Sequence, residues 1–356
     1  MKKSFILALF ALASCKQSDK NWELIPFIKL DSANPILGAV DTTTFFDPIS
    51  QQNIHWEAKD VYNPSAIVRD GKVYMVYRAE DSLEIVQGTS RLGLAISDDG
   101  IHFKRQTKPI FFPADDFMKK YEYPGGCEDP RLVETEEGDY ILTYTAYDGK
   151  TARLCVASSE NLQIWKKAGL AFKSPKYKNL WSKSGAIVCK KEGEKFIATK
   201  INGKYWMYWG DTNLYLATSN NLRDWNILED NSGKPLPVLR PRGDNFDSRL
   251  VEPGPAAFLT SKGIFLIYNS ANKGFENKSK DLKNAYRTGQ VLFDKQDPSQ
   301  IIERCSTFFL QPDKPYELEG QVNHVVFAEG LVNFKDKWFL YYGTADSKIA
   351  VAIKEE

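Results

Sequence analysis

Five segments of this 356-residue chain share one shape, an aromatic-rich apolar run that ends in tyrosine and then an acid or amide. They are Val73 to Asp81, Asp139 to Asp148, Lys204 to Asp211, Gly263 to Asn272 and Lys337 to Asp346. Their tyrosines, Tyr77, Tyr144, Tyr208, Tyr268 and Tyr342, recur every 60 to 74 residues. Spacing of that order marks a repeated supersecondary unit, and a unit made of several short strands is a propeller blade. A second repeat runs in phase with the first: Ala95-Ile96-Ser97 to Phe103, Ala157-Ser158-Ser159 to Trp165, and Ala217-Thr218-Ser219 to Trp225. In each, a ring follows the serine by six residues across a polar turn, which is hairpin chemistry. The expectation is an all-β fold, a five-bladed β-propeller.

The N-terminal residues carry a different signal. Lys2 and Lys3 precede an apolar run from Phe5 to Ala13 that is too short to hold in a bilayer, as in an export leader. The run closes on Leu12-Ala13-Ser14-Cys15, which resembles a bacterial lipoprotein box. That implies a leader over residues 1–14, a lipidated Cys15 with a polar tether to residue 21, and one propeller domain over residues 22–356. Lys16 after the cysteine gives no inner-membrane retention signal of the aspartate kind, so the expected location is the outer membrane, on its periplasmic or outward face.

Composition narrows the chemistry. The other cysteines, Cys127, Cys155, Cys189 and Cys305, have no CxxC or histidine-linked spacing, which argues against a structural zinc site; no metal or cofactor is expected. Cysteines inside apolar strands such as Leu154-Cys155-Val156 read as buried thiols, with any pairing left open. A net charge of +1 offers no footprint for nucleic acid. His55, His102 and His324 stand in no metal-ligand run, and the chain has neither a GxSxG elbow nor a phosphate loop. Aromatic residues make up 13% of the chain, which permits sugar stacking, although most rings in a propeller fill the gaps between blades.

The carboxylates are more informative. Propeller strands deliver their ends to one mouth of a central channel, so acids far apart in sequence can meet there. Three runs place an acid in a constrained Gly or Pro context: Gly125-Gly126-Cys127-Glu128-Asp129-Pro130-Arg131, Trp209-Gly210-Asp211, and Val251-Glu252-Pro253-Gly254-Pro255. Pro130 predicts an extended backbone at Asp129, and Arg131 is placed to orient a neighbouring acid. Such a set suits cleavage of a glycosidic bond, which needs a proton at the leaving oxygen and a base for the nucleophile.

The ordered runs Tyr62-Asn63-Pro64-Ser65-Ala66, Tyr77-Arg78-Ala79-Glu80-Asp81, Ser90-Arg91-Leu92-Gly93, Glu128-Asp129-Pro130-Arg131, Ile201-Asn202-Gly203-Lys204 and Tyr342-Gly343-Thr344-Ala345-Asp346 together resemble glycoside hydrolase family 130, five-bladed propellers acting on β-mannosides. The resemblance runs from about Trp22 to the C-terminus. The family holds phosphorylases, which use inorganic phosphate, and hydrolases, which use water. Where the phosphorylases typically carry a His-Arg pair for phosphate, this chain has Tyr208-Trp209-Gly210-Asp211, which favours hydrolysis.

By position, the resemblance implies Asp211 and Glu252 as the acids that activate water, with Asp211 standing where the exo-acting β-1,2-mannosidases carry glutamate. Asp129 resembles the general acid, passing its proton through a mannose hydroxyl in a single, inverting displacement. For the terminal mannose it points to Asn63, Arg78, Asp81, Arg91, Lys183 and Asp346, with Arg78 and Asp81 as a donor and acceptor pair and Arg131 as a further contact or a brace. The expected partner is a β-mannoside oligosaccharide. A phosphorylase and a non-catalytic glycan-binding lipoprotein are the alternatives; linkage preference is assigned to the loops Ile85 to Thr89 and Gly274 to Asn284, and oligomeric state stays open.

Overall fold

The computed structural model describes residues 22–83, 88–273 and 284–355; the leader, Cys15, the tether and most of the two loops just named lie outside them. The chain forms a five-bladed β-propeller, as expected. Blade one runs outward from the axis through strands Asp60–Arg69, Lys72–Glu80, Ser90–Ser97 and Lys104–Arg105. Blade two repeats the order with Gly126–Glu134, Tyr140–Tyr147, Ala152–Ser159 and Lys166–Leu170. Blade three uses Ala186–Glu192, Lys204–Trp209, Leu214–Ser219 and Trp225–Ile227. In blade four the inner strand is split into Leu250–Pro253 and Ala257–Leu259, followed by Ile264–Ala271, Tyr286–Phe293 and Ile301–Arg304.

Blade five closes the ring. Its first three strands are Val326–Phe334, Lys337–Thr344 and Lys348–Glu355, but its outermost strand is Ile28–Lys29 from the other end of the chain, which pairs with Ile353 and Ala352. Upstream of that strand, Leu24 exchanges backbone hydrogen bonds with the Gln290 side chain at 2.9 Å, and the Trp22 indole donates to Glu303 at 2.8 Å, so the incoming segment is tied across blade four.

The apolar core lies between neighbouring blades rather than at the axis. Val76, Leu92 and Leu94 of blade one pack with Leu132, Leu142 and Tyr144 of blade two, and Val61, Met75 and Tyr77 pack with Val332, Phe334 and Tyr341 of blade five. Most rings serve this packing; Tyr208 stacks on Phe293 with centroids 4.5 Å apart, joining blades three and four. Burying such a side chain contributes about 1.5–3 kcal/mol. The four described cysteines are buried free thiols. No helix among the described residues is long and apolar enough to cross a membrane.

The repeated tyrosine has a shared job in four blades. Its hydroxyl donates to a buried acid just ahead of that blade's inner strand: Tyr77 to Glu57 at 3.0 Å, Tyr144 to Glu122 at 2.7 Å, Tyr268 to Asp247 at 2.8 Å and Tyr342 to Glu317 at 3.0 Å. A cation on the same blade's outermost strand completes the clamp: Arg105, Lys167, Arg304 and Lys29 reach those acids at 2.8, 2.5, 2.5 and 2.6 Å. The residue opposite the tyrosine on the third strand is small in these blades (Gly93, Cys155, Gly289, Ala350), letting the ring lie flat over the sheet. A Cβ on Gly93 would sit 2.3 Å from the Tyr77 ring. In blade three the opposite residue is Leu216, and Tyr208 instead donates to the Pro298 carbonyl at 2.9 Å.

The second repeat is turn chemistry. Ser97, Ser159 and Ser219 accept backbone N–H groups three residues on at 2.9 Å, and Asp99, Asn161 and Asn221 then accept the next pair at 2.8–3.0 Å.

Candidate active site

Where the inner strands pass one mouth of the channel, their regular ladder breaks. Pairing slips between Tyr62 and Ser65 in blade one and opposite Glu128 to Arg131 in blade two, leaving Asn63 and Asp129 as bulged residues. Both have φ of 48°, in the left-handed region, although proline follows each. The extended backbone expected at Asp129 is therefore not found. Asp and Asn tolerate this region because a short polar side chain bonds locally, and the bulge turns the side chain toward the axis. Ser184 (φ 55°) and Asp346 (φ 48°) share the conformation. Strain of about 1–3 kcal/mol per residue gathered at one place is characteristic of functional sites.

Asn63, Asp129 and Asp346 line a cavity of about 140 Å³, with Ser184 next to its lining residue Lys183. It brings together six residues singled out in the sequence: Asn63, Arg78, Asp129, Lys183, Glu252 and Asp346. Asp129 sits between two cations, with Lys183 Nζ at 2.9 Å and Arg78 Nη1 at 3.2 Å. Arg78 also pairs with Glu80 at 2.6 Å and Glu128 at 3.0 Å, and its guanidinium lies 4.7 Å from the Tyr62 ring centre. Glu252 accepts a short hydrogen bond from the Ser184 hydroxyl.

Burial pushes the Asp129 carboxyl up, but Lys183 and Arg78 outweigh it and hold the group well below the usual carboxylate range. Glu252 goes the other way. Burial, helped by the charges of Asp211 and Asp129, lifts it to about 7 against the pull of Lys183 and the Ser184 hydrogen bond. Asp346 also rises to about 7, through burial and repulsion from Asp129 and Glu80. The pocket thus holds one firmly ionised carboxylate and two that titrate near neutrality.

Four residues expected at the site stand elsewhere. Asp81 does not pair with Arg78; it is buried against Arg91 at 2.6 Å, and Arg91 reaches Asp47 at 2.7 Å, so the Asp81–Arg91 pair braces a blade end outside the cavity lining. Arg131 lies behind the lining. It donates to the carbonyls of Gly254 (2.8 Å), Pro253 (3.0 Å) and Asp129 (3.1 Å) and pairs with buried Glu329 at 2.5 Å, which makes it a brace between the strands that carry Asp129 and Glu252. Asp211 stands at the rim and accepts the Trp181 indole N–H at 2.6 Å. Conversely, Tyr62, Tyr286, Val322, Val325 and Phe327 line the cavity unannounced. Tyr62 was within reach because it adjoins Asn63; the others sit beside or beyond loops that carry no repeat. Among the described residues no cluster of three or more His, Cys, Asp or Glu side chains is arranged to hold a metal ion.

Comparison with known proteins decides the family. A family model for glycoside hydrolase family 130, described as β-1,4-mannooligosaccharide phosphorylase, matches residues 28–356. This chain belongs to glycoside hydrolase family 130. Among curated relatives, a 1,2-β-oligomannan phosphorylase from Thermoanaerobacter sp. strain X514 is 34% identical over 84% of this chain and 91% of its own length, and a β-1,2-mannobiose phosphorylase of the same strain is 28% identical over 85% and 92%. Among solved structures, a glycosyl hydrolase from Bacteroides ovatus superposes with a TM-score of 0.91 at 41% identity, covering 94% of this chain and 95% of that one. A second, described with the finding that this family of mannoside phosphorylases contains glycoside hydrolases that target β-1,2 mannosidic linkages in Candida mannan, gives 0.91 at 43% identity over 94% and 95%. The chain is a family enzyme acting on β-mannosides.

Proposed function

We propose that this enzyme is an exo-acting, inverting β-mannosidase that releases mannose from β-1,2-linked mannosides using water. The charge balance of the pocket carries the reading. Its lining presents Asp129, Glu252 and Asp346 against Arg78 and Lys183, and both cations are already engaged by carboxylates. An inorganic phosphate entering here would meet an excess of negative charge with no free cation among the lining residues to receive it. At the position where the phosphorylases carry a His-Arg pair, Trp209 is buried in ring contacts with Phe172 and Tyr215, and Asp211 adds another negative charge.

Water suits the site better. Glu252, once ionised, is the group to draw a proton from an attacking water, and Asp211 beside it favours the attack only as a field. Asp129 is held ionised in the empty pocket, so it meets the sugar as an acceptor of a hydroxyl. Sugar binding has to expel water and loosen Asp129 from Lys183 so that the carboxylate takes up a proton, which it passes to that hydroxyl as the hydroxyl's own proton moves to the leaving oxygen.

A phosphorylase remains the second reading, because the named curated relatives are phosphorylases. Incubation with β-1,2-mannobiose in phosphate-free buffer separates them: hydrolysis yields free mannose at an undiminished rate, whereas a strict need for phosphate with mannose 1-phosphate as product would sink the proposal. Proton NMR of the first-formed anomer checks inversion. For location, the Leu12-Ala13-Ser14-Cys15 run supports a lipid anchor. Cys15→Ala should then release the protein from the membrane fraction.

A further inference from the structure

The cavity is small, about 140 Å³, and the acids that would flank the cleaved bond line its wall. An exo-acting enzyme must therefore seat the sugar on the leaving side of the cleaved bond on the rim. Trp181 is a 47% exposed aromatic side chain held there in one orientation. Its indole N–H is taken by Asp211 at 2.6 Å, and it makes a T-shaped contact with the Tyr147 ring, centroids 6.4 Å apart. The segment that carries it is stitched on both sides. Ser182 bonds to Ala152 and Leu154 of blade two at 3.1 and 3.0 Å, and the Lys183 carbonyl accepts the Gly210 N–H of blade three at 2.9 Å. Lys183, two residues along, lines the cavity and touches Asp129. With the N–H occupied and Tyr147 packed against the ring, what the half-exposed indole leaves free is apolar surface two residues from Lys183 of the pocket.

Resting on the proposed function, we infer that Trp181, backed by Tyr147 and oriented by Asp211, is the stacking platform for the leaving-side sugar and so sets the preference for oligosaccharide over other leaving groups. A pyranose offers a C–H face that suits an indole, and a ring already fixed loses little freedom on binding. The charge of the same Asp211 that orients the ring is felt at Glu252, which links the platform to the reacting end.

The test compares two substrates that share the terminal mannose: β-1,2-mannobiose, which needs the rim, and β-mannosyl fluoride, whose leaving group has no ring. In Trp181→Ala, the ratio of kcat/KM for mannobiose to that for the fluoride should fall about tenfold. Trp181→Phe keeps a ring but loses the bond to Asp211 and should fall in between. Calorimetry adds a second readout, with mannobiose binding weakened in Trp181→Ala while mannose binding holds. An unchanged ratio, or equal losses on both substrates, overturns the platform while leaving the β-mannosidase reading intact. A wild-type enzyme that neither binds nor cleaves mannobiose overturns the function itself.

Discussion

The blade clamps and the pocket bury carboxylates to a similar degree, yet do opposite things with them. Glu122, in the blade-two clamp, is fully buried, but it accepts the Tyr144 hydroxyl on one oxygen and Lys167 on the other. Glu317 and Asp247 are satisfied in the same way, by a hydroxyl and at least one cation. In the pocket, Glu252 has one hydroxyl donor, and no cation lies within ion-pair distance of it among the described contacts; Asp346 has neither. Burial alone therefore does not mark a catalytic acid. At Glu252 and Asp346 burial comes with incomplete pairing, which leaves those groups free to exchange a proton near neutrality, whereas Asp129 beside them is held by two cations.

Substitutions can break that contrast from either side. The largest effect on turnover is expected from Glu252→Gln, which should lower kcat by ~10²- to 10⁴-fold while the unfolding midpoint stays level or rises, since a poorly paired buried charge is removed. A clamp acid should behave in reverse. Glu122→Ala strands the Tyr144 hydroxyl and leaves Lys167 only Asp116 and the Phe112 carbonyl, and should cost about 1–3 kcal/mol in denaturant unfolding, with kcat of the folded fraction retained. If Glu122→Ala abolishes turnover without loss of stability, the division between the two sets is wrong.

Acidity sharpens the comparison next. Glu252 rises from an ordinary 4.5 to about 7 on folding, and Asp346 from 3.8 to about 7. The native state thus holds protons that the unfolded chain has lost in that window, so stability should fall as pH climbs from about 4 to 7 and level off above. Activity should move the other way, with kcat/KM rising as Glu252 ionises near pH 7. Glu252→Gln should flatten part of the stability slope, measured by thermal unfolding across that range.

The smallest effect separates the clamped blades from blade three. Tyr144→Phe loses a hydrogen bond to a charged acceptor and should cost about 1.5–3 kcal/mol, against about 0.5–1.5 for Tyr208→Phe, whose partner is a neutral carbonyl. Equal losses in chemical denaturation would show that the clamp adds nothing beyond a single hydroxyl bond.

The tyrosine period made the blades legible because the clamp imposes the same residue on the same strand each time. The acid and cation that complete it were not, since they sit on turns, one-turn helices and outer strands at variable spacing, as with Glu122 and Lys167. At the site, the Asn-Pro and Asp-Pro runs both supply cavity-lining residues, but a local rule about residues before proline lost to the bulge that tertiary packing requires at Asn63 and Asp129. The Asp81–Arg91 pair was misplaced for a different reason. Its third member, Asp47, comes from the hairpin of strands Phe45–Asp47 and Gln52–Ile54, an addition outside the repeat that no period could reveal. Residues such as Tyr286 and Phe327 reach the cavity through the curvature of the whole ring, which is not a property of any short run.

The borrowed outer strand has a bearing on biogenesis. Ile28–Lys29 precedes all of the other blade strands in the chain, yet its strand partners are Ile353 and Ala352 on Lys348–Glu355. Blades one to four can assemble as they are synthesised, but the circle stays open until Lys348–Glu355 has been made. Until then Ile28, two-thirds exposed even in the finished circle, belongs to an unpaired edge that neighbouring chains could capture.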